Sequence, residues 1–405
     1  MLSRIFKLYK ESFAGLNNNV WLLAWINLIN RAGTMVIPFL SMYLTQEIGV
    51  SLTKAGFVLT CFGAGSILGA LAGGKLTDKI GHYKVQMITL FFGGISFFIL
   101  ATLNDYNSIC LMTFILALVN EAYRPANMSA IGLYSNSENR TRSSSLVRLT
   151  TNLGWAVGAS LGGILASIDY KLLFWVDGAT NLIAFVFLYL LLRPANTKKE
   201  KSESIHKATS SVYKDKEFLL FVLLSYFFAV CFFQIFSTYP VFLKKEFLIS
   251  EHQIGILFAM NGLLIAFIEM ITVHSLAGKR NDLQYIAFGL VLVGISFLVL
   301  NATILPTLLL AYISCLFFTI GEIFCMPFMM TFWMNRSNDG NRGQYASLYT
   351  VAYSLAHITG PLIGGFIADE IGFNKLWISI FIFSILTGLG FLLLQNFASP
   401  RKQKI

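Results

Sequence analysis

The chain has 405 residues, of which 56% are hydrophobic and only 12% charged, and its mean hydropathy is +0.68. Soluble domains carry about 25% charged residues, so a soluble enzyme is excluded and a polytopic membrane protein is indicated. The net charge of +10 raises the question of nucleic acid, and its distribution along the chain answers it below.

Residues 1–19 form a short, partly basic, amphipathic lead with no signal-peptide pattern, so the first apolar run is expected to remain in the chain as a helix. Crossing about 30 Å of hydrocarbon takes about 20 helical residues. Stretches of that kind are expected near 20–44, 54–73, 84–103, 108–132, 146–168, 172–192, 218–243, 252–274, 283–302, 306–334, 346–367 and 374–396. They number twelve, split six and six by the charged stretch 194–216, which reads as a solvated linker. The domains expected are therefore 1–193 and 217–405, joined by 194–216. Of the 30 Lys and Arg, 23 fall in the segments this topology puts in the cytoplasm and five in its outer loops, with Arg31 and Arg124 inside helices. That asymmetry is the positive-inside pattern. It places both termini in the cytoplasm and makes the basic charge topological, with no nucleic-acid partner expected.

In the first helix, Asn27, Asn30 and Arg31 form a polar stripe, with Arg31 about 11 residues in and so roughly 16 Å deep. Between the second and third helices lies Gly73-Gly74-Lys75-Leu76-Thr77-Asp78-Lys79-Ile80-Gly81-His82-Tyr83-Lys84, expected as a tight hairpin. There Gly74 is expected to allow close helix approach and Gly81 to take φ > 0. Asp78 is expected near a helix N-terminus, and Lys75, Lys79 and Lys84 mark the cytoplasmic side. In the fourth helix, Glu121 and Arg124 are spaced i,i+3 and so are expected on one face. A charge inside a membrane helix is a functional hypothesis by default. Cations near Glu121 favour its ionised form and burial its protonated form, which is how a proton can be coupled to transport. The bland alternative for these charges is a permanent salt bridge.

The fifth helix carries Gly154, Gly158, Gly162 and Gly163, and the eleventh carries Gly360, Pro361, Gly364 and Gly365. Small residues let membrane helices pack closely, and Pro361 adds a kink that can serve as a hinge. Asp177, about five residues into the sixth helix, reads as interfacial. Glu269 in the eighth and Glu322 in the tenth are candidate substrate or proton sites, with no arginine beside Glu322 in sequence. The cysteines at 61, 110, 231, 315 and 325 fall in or at the ends of apolar runs, with no C-x-x-C pair, and read as packing residues rather than disulfides or metal ligands.

The halves repeat. At an offset of 202, Pro38 falls on Pro240, Pro125 on Pro327, Gly158 on Gly360, Gly162 on Gly364 and Gly163 on Gly365. At 199, Gly56 falls on Gly255 and Gly63 on Gly262. Gly74, Leu76, Asp78, Gly81 and Lys84 resemble the loop signature between the second and third helices of the major facilitator superfamily, and the resemblance covers the whole chain. It implies an all-α fold of 12 transmembrane helices in two pseudo-symmetric six-helix bundles, with a substrate site between them near the midplane. Arg124-Pro-Ala-Asn127 resembles that family's fourth-helix signature, whose arginine is linked to proton transfer. The fifth-helix glycines resemble its antiporter signature, with Ala159 in place of the proline. Asn27-x-x-Asn30-Arg31 echoes the spacing of a proton-coupled peptide transporter motif, with both glutamates replaced.

The resemblance and the charges together imply a secondary transporter working by alternating access, and export of a small amphipathic compound against protons is the first reading. Glu121, Arg124 and Arg31 are its expected proton-coupling residues. Asn27, Asn30, Arg31, Glu322 and Glu269 are the expected substrate contacts. Gly74, Asp78, Gly81, Lys84, Gly158, Gly162, Gly360, Pro361 and Gly364 form the conformational motifs. Uptake of a solute or short peptide is the alternative, and a non-transporting receptor or scaffold is the alternative of another class. The scattered histidines and the lack of a phosphate-binding G-x-x-x-x-G-K-[ST] loop leave no enzyme or ATP-driven reading. No metal or cofactor is expected beyond the proton gradient. The expected setting is a monomer in the bacterial inner membrane, its partners being protons, a small molecule and lipid.

Overall fold

Each of the apolar stretches folds as a helix, and the described residues hold twelve helical spans long and apolar enough to cross a membrane. The structure, a computed structural model, describes residues 15–135, 140–192, 212–276, 279–302, 305–337 and 342–397. Linker residues 194–211 and the basic ends of the chain lie outside them.

Nine spans start from one main helix each: Leu52–Ile80, His82–Thr102, Arg140–Ile168, Lys171–Leu191, Glu251–Leu276, Asp282–Leu298, Thr307–Arg336, Arg342–Glu370 and Phe373–Phe397. The other three are broken. The first span is Asn18–Ala32 followed by Val36–Gln46, and the fourth is Tyr106–Glu121 followed by Tyr123–Tyr134. The seventh runs Lys216–Phe232, a 3-10 turn at Phe233–Phe236, then Thr238–Lys245. In each case a proline (Pro38, Pro125 or Pro240) is the third residue after the break. An N–H there has no intrahelical partner anyway, so proline costs nothing in the first turn. The repeat is incomplete: Pro327 sits inside the unbroken tenth span, opposite Pro125 in sequence register. Several helix starts are capped by polar side chains in the usual way, as when the Asp105 carboxylate accepts the Ser108 N–H at 2.9 Å.

The chain divides into two units. The first takes in the described residues of Met1–Ile48, Cys61–Thr197 and Ser250–Ala266; the second takes in those of Gly49–Thr60, Lys198–Ile249 and Phe267–Ile405. The first unit's core packs Val20, Leu23 and Ala24 against Leu90, Tyr123, Ala130 and Leu188. The second unit's core is aromatic, with Phe297 stacked on Trp377 at 5.2 Å and Phe221 on Phe332 at 4.4 Å. Large apolar side chains such as Leu190, Phe267 and Leu393 are exposed, as a surface in contact with lipid requires.

The glycines of the fifth and eleventh spans form matching seams. A Cβ on Gly163 would lie 2.6 Å from the Glu251 carbonyl oxygen, and one on Gly255 would lie 2.7 Å from that of Ala159. The second unit repeats the arrangement, with Gly365 at 2.7 Å from the Leu52 carbonyl oxygen and Gly56 at 2.6 Å from that of Pro361. The sequence offsets 202 and 199 carry one seam onto the other. Gly158 and Gly162 likewise face Ala32 and Met35 of the broken first span, while Gly360 and Gly364 face Val230 and Gln234 of the seventh. Gly163→Ala is therefore expected to cost about 1–3 kcal/mol, since the new methyl meets backbone that cannot yield locally. Gly74→Ala is the contrast. Nothing lies within 4 Å of a Cβ there, so helix propensity alone acts, a gain of up to about 1 kcal/mol. Thermal unfolding in detergent separates the two.

That open space at Gly74 corrects the expectation of a close approach; Gly73, against Ala122, makes it. The hairpin is also tighter than expected, because the second helix runs on to Ile80 and the third starts at His82. Gly81 alone makes the turn, at φ +89°, a conformation glycine adopts without penalty. Asp78 is exposed in the last turn of the second span, and Lys84 lies in the first turn of the third.

At the start of the seventh span, Asp215 accepts the Phe218 N–H at 3.1 Å as a helix cap. It also pairs with Arg336 at 2.7 and 2.9 Å and accepts the Tyr345 hydroxyl at 2.8 Å. Arg336 also contacts Glu217. Burial pushes the Asp215 carboxyl up, but the hydrogen bonds from Arg336, Tyr345 and Phe218 outweigh it and hold it below the ordinary carboxylate value. The depressed folded-state value means that this cluster stabilises fully above the unfolded carboxyl's pKa of about 3.9. The contribution is lost as pH falls through the lower folded value. The thermal midpoint is expected to drop more steeply on acidification below about pH 4 in the wild type than in Asp215→Asn.

Candidate functional site

The breaks in the first and fourth spans bring a set of polar side chains to one place in the first unit. They line a cavity of about 50 Å³, and its polar wall is Asn30, Arg31, Thr34, Thr89, Asn120, Glu121, Tyr123, Asp177 and Asn181. A water needs about 10–15 Å³ of such space, so the cavity has room for about four. Drug-sized ligands need about 300–1,000 Å³, far more than this cavity offers.

Arg31 is in the last turn of the first half-helix, where a cation complements the carbonyl ends of the backbone. Glu121 is the last residue of its half-helix. Arg31 and Glu121 share the cavity wall, and among the described residues no ion pair joins them. The hydroxyl of Tyr123, a residue only 3% exposed, also has no hydrogen-bond partner among the described residues. Tyr123 lines the cavity and lies in the electrostatic reach of Arg31. Buried polar groups are rarely left without partners, so this hydroxyl is a group for cavity contents to meet.

Asp177 holds the site together. Its side chain accepts the Met35 N–H at 3.1 Å on each oxygen and the Val36 N–H at 3.0 Å. These are donors at the start of the second half-helix that have no intrahelical partner. The residue is 1% exposed, which corrects the interfacial reading. Counting residues from the start of the sixth span placed it near the surface; the first span's break folds over it. One turn on, Asn181 donates to the Asp177 carbonyl at 2.8 Å and accepts from Asn30 at 3.0 Å. In the second unit, the equivalent break is spanned by Gln234 instead. Its amide donates to the Gly360 carbonyl at 2.8 Å, and its oxygen accepts the Thr238 hydroxyl at 2.9 Å.

The remaining sequence candidates are dispersed. Asn27 is buried and donates to the Val147 carbonyl at 3.3 Å and to the hydroxyls of Thr150 and Thr151 at 3.2 and 2.8 Å, so its amide is spent joining the first and fifth spans. Arg124 is exposed and is not part of the cavity wall. The shared face expected for Glu121 and Arg124 is not found: the helix is interrupted at Ala122 between them, and only Glu121 lines the cavity. Glu269 and Glu322 are half-buried residues of the second unit. Glu322 lies near Cys325 and Tyr353, on a face that sequence reading missed. There Tyr349 donates to the Tyr353 hydroxyl at 3.1 Å, Tyr353 contacts the Met329 sulfur at 3.5 Å, and His357 packs edge-on to Phe233 at 4.5 Å. The four-residue spacing of Tyr349, Tyr353 and His357 was the available signal.

A sequence model described as the Major Facilitator Superfamily matches residues 20–361. The chain is 26% identical over 406 residues to a Na(+), Li(+), K(+)/H(+) antiporter of Planococcus maritimus, covering 90% of this chain and 92% of that one. It is 23% identical over 338 residues to the quinolone resistance protein NorA of Staphylococcus aureus, covering 83% and 86%. Among solved structures, a crystal structure of the peptide transporter POT in complex with sulfate superposes with a TM-score of 0.79. That match has 15% identity over 95% of each chain and is a likeness of fold.

Proposed function

The chain belongs to the major facilitator superfamily and is a multi-pass membrane transporter rather than an enzyme, and on that premise we propose that it exports a small amphipathic molecule in exchange for protons. The observation that carries this reading is the cavity that Arg31 and Glu121 line together. It is too small for such a solute and the right size for water, so it suits proton handling. Glu121 takes up or releases the proton, with Arg31 lining the same cavity. The solute binds elsewhere, and the aromatic face of Tyr349, Tyr353 and His357 beside Glu322 has the chemistry for an amphipathic ring system. Two relatives support exchange against protons and export: one is by name an alkali-cation/proton antiporter, the other a quinolone resistance protein. The reading includes a monomer in the bacterial inner membrane, termini on the cytoplasmic side, driven by the proton gradient without a cofactor.

Proton-coupled uptake of a small acid is the second reading, and the Arg31 guanidinium with the Tyr123 hydroxyl favours it, since both can donate to a carboxylate. Inverted membrane vesicles carrying a pH-sensitive dye distinguish the two. Lipophilic cations, quinolones, alkali salts, small acids and dipeptides are added after energisation. Collapse of the gradient by a compound only when the protein is present supports export. Silence across the panel, with radiolabelled acid taken up by whole cells, supports the alternative and overturns the first reading.

A further inference from the structure

The second and fourth spans pack along a glycine ladder. A Cβ on Gly65, Gly69 or Gly73 would strike the backbone of Phe114, Leu118 or Ala122 respectively. Each pair is separated by the same 49 residues, so the two helices run parallel and in register, with their backbones nearly touching. One helical step before the first rung, the same register pairs Cys61 with Cys110. Their thiols lie within interaction range of each other, and the Tyr106 hydroxyl, one turn before Cys110, lies within interaction range of the Cys110 sulfur. Cys61 is half-buried and Cys110 is 9% exposed. The sequence reading of these cysteines as packing residues is therefore incomplete. A disulfide needs Cα atoms about 4.4–6.8 Å apart, and a ladder of glycines is what brings two helices that close.

We propose that Cys61 and Cys110 are a redox-modifiable dithiol, which a membrane-permeant two-electron oxidant closes to a disulfide that ties the second span to the fourth. The step breaks two S–H bonds and forms one S–S bond. With an azodicarboxamide as oxidant, the N=N bond takes up both electrons and both protons and becomes a hydrazine. Phe62, next to Cys61, and Glu121, eleven residues after Cys110, line the same polar cavity, so the cross-link fixes two of its walls against each other. The pairing rests on the structure alone and stands whatever the protein transports.

The full-length protein in its native membrane is treated with the azodicarboxamide, denatured, and labelled with a polyethylene-glycol maleimide that shifts the gel band once per free thiol. Untreated protein is expected to take five adducts, one per cysteine, and oxidised protein three, with dithiothreitol restoring five. Cys61→Ala and Cys110→Ala are each expected to take four adducts before and after oxidation. A peptide map of the oxidised wild type is expected to show the segments holding Cys61 and Cys110 joined, which tests the pairing even where a variant fails to accumulate. Five adducts after oxidation, a cross-link to any other cysteine, or a disulfide between two chains each overturn the proposal.

Discussion

Asp177→Ala is expected to be among the most destabilising single substitutions in the chain, lowering stability by roughly 2–5 kcal/mol. The residue is 1% exposed, and its oxygens take the Met35 and Val36 N–H groups where the first span restarts. Neither donor has an intrahelical partner, and each loses its acceptor once the carboxyl is gone. A buried donor left without an acceptor costs about 1–3 kcal/mol, and two are orphaned together. Asp177→Asn keeps one acceptor oxygen and is expected to fall between alanine and the wild type. Thermal unfolding of the purified protein in detergent checks the order. A wild-type midpoint for Asp177→Ala would show that the break is held by packing alone. Because Arg31 lies in the last turn of one half-helix and Val36 starts the other, loss of the cap should also displace Arg31 and reduce transport.

Glu121→Gln is expected to abolish proton movement coupled to solute, by roughly tenfold or more, while leaving the fold intact. Glutamine keeps the volume and the hydrogen-bonding capacity but cannot change charge. Glu121 has no ion pair among the described residues, so its replacement strands no buried partner and the unfolding midpoint should stay near that of the wild type. The dye signal in energised inverted vesicles measures the coupling. An unchanged signal would make the carboxyl structural and move proton handling out of this cavity. Arg124→Ala is the informative control. Exposed and outside the cavity wall, it is expected to keep most of the signal, which sets the structure against the family expectation for that arginine.

Much of the architecture was legible before any coordinates. The twelve spans follow from where apolar runs exceed the thickness of a bilayer, and the charged stretch after the sixth marked the midpoint. The repeat registers, found by matching glycines and prolines, correctly paired Gly163 with Gly365 and Gly56 with Gly255, residues that make equivalent contacts. A glycine repeat survives in sequence because only a missing Cβ allows backbone contact at those points. Arg31 and Glu121 stood out as costly charges in an apolar setting, and the structure lines one cavity with both.

The breaks were not legible. Pro38, Pro125, Pro240 and Pro327 occupy matched positions, yet the first three follow interruptions and the last lies within a continuous helix. A proline permits a break, and whether one forms depends on what accepts the freed N–H groups. For the first span that acceptor is Asp177, 141 residues away from Val36 in the chain. The fourth span is likewise interrupted at Ala122, with Glu121 before it on the cavity wall and the exposed Arg124 after it. Helical spacing predicts neighbours only while the helix is unbroken. The sequence by itself determined the number of spans, their repeat and the buried charges, because hydrophobic length and the cost of charge in lipid act locally. Tertiary structure alone decided where the first span breaks and which polar groups meet there, because the acceptor of its freed N–H groups, Asp177, belongs to the sixth span.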